Sequence, residues 1–218
     1  MVPAILTDFD DTAAVQNVAE MLLHKFGDGT WQDVRERFRA GELTLKDYQE
    51  ITFNNIQADR DTMRAYVQDN ANLRPRFAEL WEYCQEINSP MAVVSLGLDF
   101  YIQALLEKEG APDVPVYCVK TRFTPEGINY YYHYAYPGQP ERGNSKGLVV
   151  ERYRQLGYHV IYVGDGRSDF EGAERADTVF AHSFLAEECR RQQVPFRPFT
   201  DFGDILETTK ELLGLTGT

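Results

Sequence analysis

No stretch of the sequence approaches the ~20 consecutive apolar residues that a membrane-spanning helix needs. No basic cluster opens the chain, and Asp8 arrives too early for the apolar core of a secretory leader. Cysteine is scarce. Cys84, Cys118 and Cys189 lie far apart and form no CxxC pair, which excludes the spacing of a zinc site or a disulfide framework. Isolated thiols fit a reducing compartment, where they behave as small buried hydrophobes. Positive charge is also short, with 22 Lys+Arg against 34 Asp+Glu and a net charge of −12. That balance argues against nucleic acid or an anionic membrane as a partner. There is no internal repeat and no low-complexity tract. These absences lead to the expectation of a soluble cytoplasmic protein.

What is present suits a folded domain. The 218 residues are 43% hydrophobic and 13% aromatic, enough for a sizeable core. The length predicts one domain, or one domain with a modest insertion. Short apolar runs at Val2–Thr7, Met91–Leu96, Pro115–Lys120, His159–Val163 and Thr178–Ala181 read as buried strands. Between them, Asp99–Lys108 and Ser145–Leu156 read as helices, the first stopped by Gly110 and the second capped by Asn144 or Ser145 and ended by Gly157. The alternation predicts an α/β fold with a parallel sheet covered on both faces.

Two regions break the alternation. Residues 15–87 hold no convincing strand, only helical patterns punctuated at Gly27-Asp28-Gly29, Gly41, Asp59 and Pro75. This predicts an inserted bundle of four or five helices, leaving 1–14 and 88–218 as the core. Inserts of this kind often form lids over sites at the carboxyl ends of strands. Residues 122–140 are rich in Tyr, Pro and Gly, and a hairpin pairing 115–121 with 128–134 fits them.

The first strand runs into Asp8-Phe9-Asp10-Asp11-Thr12. In extended geometry Asp8 and Asp10 share a face. Carboxylates so close repel unless a cation or a shared proton separates them, and a hard divalent ion such as Mg²⁺ prefers oxygen ligands. The fourth strand ends in Gly164-Asp165-Gly166-Arg167-Ser168-Asp169. A dinucleotide fingerprint would need a glycine where Asp169 stands, and a calcium loop would need Glu where Ala176 stands. An acidic turn suited to a hydrated metal remains. Ser95 lies at the end of the second strand, before Leu96 and Gly97. Lys146 opens a helix, where a cation is mildly unfavourable against the helix dipole unless it has an anion to hold.

This order of acidic pair, Ser, Lys and GDxxxD resembles the haloacid dehalogenase (HAD) superfamily. The gap between Asp10 and Ser95 resembles that superfamily's helical C1-type cap. The finer resemblance is to the phosphoserine-phosphatase-like branch. Ser95 to Phe100 and Gly164 to Ala181 are most similar to the methionine-salvage phosphatases that act on an enol-phosphate. Asn17 stands where true phosphoserine phosphatases carry a Glu that contacts the substrate amine. Asp11 replaces a commoner small residue, and Arg142-Gly143-Asn144-Ser145 replaces a cysteine-rich stretch found in some relatives.

The resemblance implies a HAD-like Rossmannoid core with a cap at 15–87, and an Mg²⁺-dependent phosphomonoester hydrolase acting on a small phosphorylated metabolite. It implies Asp8 as nucleophile, through an aspartyl-phosphate, and Asp10 as general acid and base. It implies Ser95, Leu96, Gly97 and Lys146 as phosphate-binding residues, and Asp8, Asp10, Asp165 and Asp169 as metal-binding residues, Asp10 through its carbonyl. A monomer or a homodimer is compatible with it. A phosphoserine-phosphatase-like hydrolase and a non-catalytic metal- and phosphate-binding protein are the alternatives. Asp10 counts against a dehalogenase proper. The lack of a motif around Lys25 or Lys46 counts against a phosphonatase.

Overall fold

The computed structural model describes residues 2–214. The outermost residues of the expected core segments, 1 and 215–218, lie outside them. The first strand, β1 (Pro3–Thr7), is buried along its whole length. It is followed by a wide turn over Phe9–Ala13 and then by five helices. These are α1 (Val18–Phe26), α2 (Trp31–Arg39), α3 (Leu45–Asn54), α4 (Arg60–Asn70) and α5 (Phe77–Glu86). Next come β2 (Met91–Leu98), α6 (Asp99–Lys108) and the hairpin β3 (Val116–Thr124) and β4 (Gly127–Tyr131). The chain continues through α7 (Lys146–Gln155), β5 (His159–Gly164), α8 (Phe170–Ala173), β6 (Thr178–Ala181), α9 (Ser183–Gln192) and α10 (Phe202–Leu212).

The strands form one sheet in the order β4-β3-β2-β1-β5-β6. All pairings are parallel except the β3–β4 hairpin. Alternation along the strands divides the interior in two. Ile5, Met91, Val93, Ile161 and Val163 face a core shared with α6 and α10. Ala4, Leu6, Ala92, Val94, Val160 and Tyr162 face a second core built with α7, α8 and α9. Two covered faces explain why the central strands read as unbroken apolar runs.

Three helices of the insert start on local caps. Asn17 accepts from Glu20 N at the start of α1, and Thr44 and Asp47 form a reciprocal capping box at α3. Asp59 accepts from Thr62 N to cap α4. The insert is fastened to the core through α4 and α6: Arg64 donates to the Phe100 carbonyl at 2.9 Å and Gln68 to that of Ala104 at 3.3 Å. Helix α5 lies against α10, with Phe77 and Phe202 in edge contact at 5.0 Å.

The expected hairpin exists with shifted bounds. The first strand runs on to Thr124, and Thr121 pairs with Tyr130, so the turn is at 125–126 and residues 132–134 lie beyond the ladder. Among the described residues no helix is long and apolar enough to cross a membrane. All three cysteines are buried and free. Helices α9 and α10 carry no expectation from the sequence reading, although Phe202, Ile205, Leu206 and Thr209 recur at helical spacing and are buried.

Candidate active site

Strand geometry stops at Thr7. Asp8 N still donates to the Val163 carbonyl at 2.9 Å, which holds Asp8 to the sheet. Beyond it the chain turns, closed by Ala14 N on the Phe9 carbonyl at 2.8 Å, with Asp11 in the left-handed region at φ 61°. The expected extended run through Asp10 is therefore replaced by a turn, and the two carboxylates part. Asp8 points toward Lys146, whereas Asp10 points toward the first turn of α1.

Lys146 is 2% exposed, in the first turn of α7. Ser145 caps that helix by accepting from Leu148 N, so the lysine enters the site from a fixed helix end. Its Nζ lies 2.6 Å from Asp8 Oδ1 and 2.7 Å from Asp169 Oδ1. Burial disfavours its charge, but Asp169 and Asp8 outweigh that and raise its pKa.

Asp169 is wholly enclosed. Its Oδ1 also accepts from Tyr162 Oη at 2.6 Å, and its Oδ2 accepts from Asp165 N at 3.1 Å and Gly166 N at 2.8 Å. Four donors match the roughly four lone-pair sites of an ionised carboxylate. Gly164 makes the fold-back possible, because a Cβ there would lie 2.6 Å from Asp169 Cγ. Asp165 accepts from Thr12 Oγ1 at 2.9 Å.

Asp8, Asp165 and Asp169 each offer an oxygen, and these oxygens lie within 4.8 Å of one another. Burial, and then the Asp169 charge, push Asp8 above the usual carboxylate range, while Lys146 pulls it back. Burial and Asp169 likewise push Asp165 to about 6. Three carboxylates against one ammonium leave a buried surplus of negative charge. An all-oxygen set with that surplus fits a hard divalent cation. The Asp10 carboxylate is outside the group. Burial raises it to about 6, against the bonds it receives from Ala19 N, Tyr101 and Val18 N.

Ser95 is buried, and its Oγ accepts from Gly97 N at 2.9 Å. The Leu96 carbonyl accepts from Gln49 Nε2 of the helical insert at 3.0 Å. Asp8, Asp10, Ser95, Leu96, Gly97, Lys146 and Asp165 thus line one cavity of about 320 Å³. Its far wall comes from the insert and includes Leu23, Arg35, Phe38, Tyr48 and Phe53. Phe38 and Tyr48 stack at 5.3 Å, and Arg35 is paired with Glu20 at 2.6 Å. Asn17 donates to Asp11 Oδ2 at 2.9 Å, so its amide orients the neighbouring acid.

The sequence reading missed Thr12, Gln49, Tyr101 and Tyr162. Thr12, Gln49 and Tyr101 are joined to their partners only by the fold, Thr12 and Asp165 being 153 residues apart, whereas Tyr162 reaches Asp169 across the turn that follows its own strand. No local signal separates Tyr101 or Tyr162 from an ordinary core aromatic.

Residues 5–174 match the family model of the haloacid dehalogenase-like hydrolases. The chain belongs to that family. It is 29% identical over 220 aligned positions to the 2-hydroxy-3-keto-5-methylthiopentenyl-1-phosphate phosphatase of Lysinibacillus sphaericus (strain C3-41), covering 98% of this chain and 96% of that one. To the protein of the same name from Brevibacillus brevis it is 26% identical, covering 95% of each. A crystal structure of phosphoserine phosphatase from T. onnurineus shares the fold, with a TM-score of 0.66, 18% identity and coverage of 96% and 95%. Within its family the chain is a HAD-type phosphatase.

Proposed function

We propose that this chain hydrolyses a small phosphate monoester in two steps through Asp8, and that its substrate is the enol-phosphate of methionine salvage. Residues 15–87 act as the cap over a core of the remaining chain. The observation that carries the reaction is the Lys146 ammonium between Asp8 and Asp169, with Asp10 on the same cavity. The relatives' names support the substrate. So does the cavity wall, whose Leu23, Phe38 and Tyr48 suit an apolar tail and whose Arg35 is already neutralised by Glu20.

An Asp8 oxygen attacks phosphorus and the ester P–O bond breaks, leaving an aspartyl-phosphate. Asp10 gives its proton to the departing oxygen. In the second step Asp10 takes a proton from water, whose oxygen attacks phosphorus and releases Asp8. Ser95, Lys146 and the Leu96–Gly97 strand end hold the phosphoryl oxygens. Asp8, Asp165 and the Asp10 carbonyl would hold Mg²⁺. Asp169, whose oxygens already carry four donors, acts beside the ion by fixing Lys146 and the 165–166 turn. The bound ion supplies positive charge that offsets the phosphoryl oxygens. Positioning and electrostatics then supply most of the catalysis.

The test is phosphate release from the methionine-salvage enol-phosphate, phosphoserine and p-nitrophenyl phosphate, each with Mg²⁺ and with EDTA. The enol-phosphate should give the highest kcat/KM, and EDTA should abolish turnover. A preference for phosphoserine would overturn the substrate, and full activity in EDTA the metal requirement. No release from any ester would return the chain to a binding role.

A further inference from the structure

Asp10 receives three hydrogen bonds. Val18 N and Ala19 N, at the start of α1, donate to Oδ1 at 2.7 and 3.2 Å. Tyr101 Oη donates to Oδ2 at 2.9 Å. A carboxylate offers about two lone-pair sites on each oxygen. Both sites of Oδ1 are taken, so the open site lies on Oδ2. The tyrosine hydroxyl decides which of the two Oδ2 sites that is.

The ring that carries this hydroxyl is fixed on several sides. Tyr101 is fully buried. Phe9 lies 6.1 Å away, Phe100 meets its edge at 5.5 Å, and Phe53 of the helical insert stacks on it at 6.4 Å with the planes 21° apart. The hydroxyl passes over Gly97, where a Cβ would stand 1.9 Å from Oη. A phenylalanine would fill the same aromatic box without a polar group to desolvate. A buried hydroxyl costs stability unless it is bonded, and this one is bonded to Asp10.

Resting on the acid role proposed for Asp10, we infer that Tyr101 is a positioning residue for proton transfer, holding Oδ2 so that its open site faces the leaving-group oxygen. Both residues line the cavity that receives the ester. In the first step the bond from Asp8 to phosphorus forms, the ester P–O bond breaks, and the Oδ2 proton passes to the departing oxygen. The products are an alcohol, the aspartyl-phosphate and an ionised Asp10. In the second step a water proton returns to Oδ2 as the water oxygen bonds phosphorus and the Asp8–phosphorus bond breaks. A basic leaving group needs the first of these transfers, whereas a nitrophenolate departs largely without it. The contribution of Tyr101 therefore grows with leaving-group basicity.

The experiment compares the full-length wild type with Tyr101→Phe, both with Mg²⁺, on phenyl phosphate and p-nitrophenyl phosphate. In the variant, kcat/KM for phenyl phosphate should fall about tenfold, a modest share of what a general acid contributes, and that for p-nitrophenyl phosphate should change by less than about twofold. Inhibition by inorganic phosphate and the melting temperature should stay near wild type, showing that the phosphate site and fold are intact. An equal fall on both esters would assign Tyr101 a packing role, and no fall on either would leave its hydroxyl without one; each result overturns the inference. A wild-type chain inactive on both esters would overturn the phosphatase mechanism first, and the role of Tyr101 with it.

Discussion

The Lys146 ammonium lies 2.6 Å from the Asp8 carboxylate, although the two residues are 138 positions apart and come from different strand–helix units. One end of this contact sits on the strand-end turn after β1 and the other on the first turn of α7. Asp169 binds the same ammonium from the turn after β5. The three elements are thereby held at one point by charge, at the carboxyl edge of the sheet where open α/β folds place their ligands.

Asp8→Asn keeps the shape of the side chain and replaces the carboxylate proposed to attack phosphorus with a neutral amide. Phosphate release from p-nitrophenyl phosphate should fall by at least about a thousandfold, since covalent attack has no substitute in this site. Circular dichroism should match wild type. Activity within about tenfold of wild type would assign the attack to another group.

Lys146→Ala leaves Asp8 and Asp169 facing each other in a buried site. Removing one partner of a buried ion pair costs on the order of 3–5 kcal/mol. In EDTA the urea midpoint should drop accordingly, and with Mg²⁺ restored both KM and kcat should worsen. Unchanged stability in EDTA would mean that the carboxylates lose nothing with the ammonium.

Asp165→Asn should stabilise the metal-free protein at neutral pH. Burial, with the Asp169 charge, holds the folded-state pKa at about 6, above the ordinary aspartate value of about 3.9. A raised carboxyl pKa means that the folded state binds the proton more tightly. Its contribution is therefore fully present below about pH 4 and is lost as pH rises through about 6. Above that the ionised carboxylate penalises the fold by an amount on the order of 1–3 kcal/mol. Urea midpoints in EDTA should show the variant ahead of wild type at pH 7.5 and level with it near pH 4. With Mg²⁺ the order should reverse if Asp165 belongs to the proposed ion site, because the variant offers that site one carboxylate fewer. An advantage of equal size at both pH values would point to packing instead of charge.

Gly97→Ala introduces a Cβ 1.9 Å from Tyr101 Oη and 3.1 Å from Ser95 Oγ. The phenol must move, and overpacking of this kind costs about 1–3 kcal/mol. Both kcat/KM and the melting temperature should fall. Placing Gly97→Ala in a Tyr101→Phe background removes the 1.9 Å contact but leaves the ring Cζ 2.8 Å from the new Cβ, so stability should recover only in part. A double variant no more stable than the single one would place the cost in the ring contact and not in the hydroxyl.

Much of the site was legible because its residues stand at the ends of locally readable elements. Asp8 follows an apolar strand, Asp165 follows another, and Lys146 follows a capping serine. The departure at Asp10 was not legible. Extended geometry would aim it with Asp8, whereas the turn over Phe9–Ala13 sends it to α1 and Tyr101. The hairpin was legible in kind but not in register, since its bounds are set by the pairing of Thr121 with Tyr130 and the turn at 125–126.

By itself, the sequence determined the elements and the chemical kinds at their ends, because apolar periodicity, helix caps and strand-end acids act over a few residues. The tertiary structure decided which of those ends meet. Only the sheet order sets β1 between β2 and β5, and so brings Asp8 and Asp165, at neighbouring strand ends, together with Ser95, which lies inside β2 where its pairing turns irregular and not at the strand's end as the sequence predicts, and with Lys146 among them. It also decided that a tyrosine 91 residues from Asp10 supplies the hydrogen bond on Oδ2, because the donor is selected by packing across the core and not by spacing along the chain.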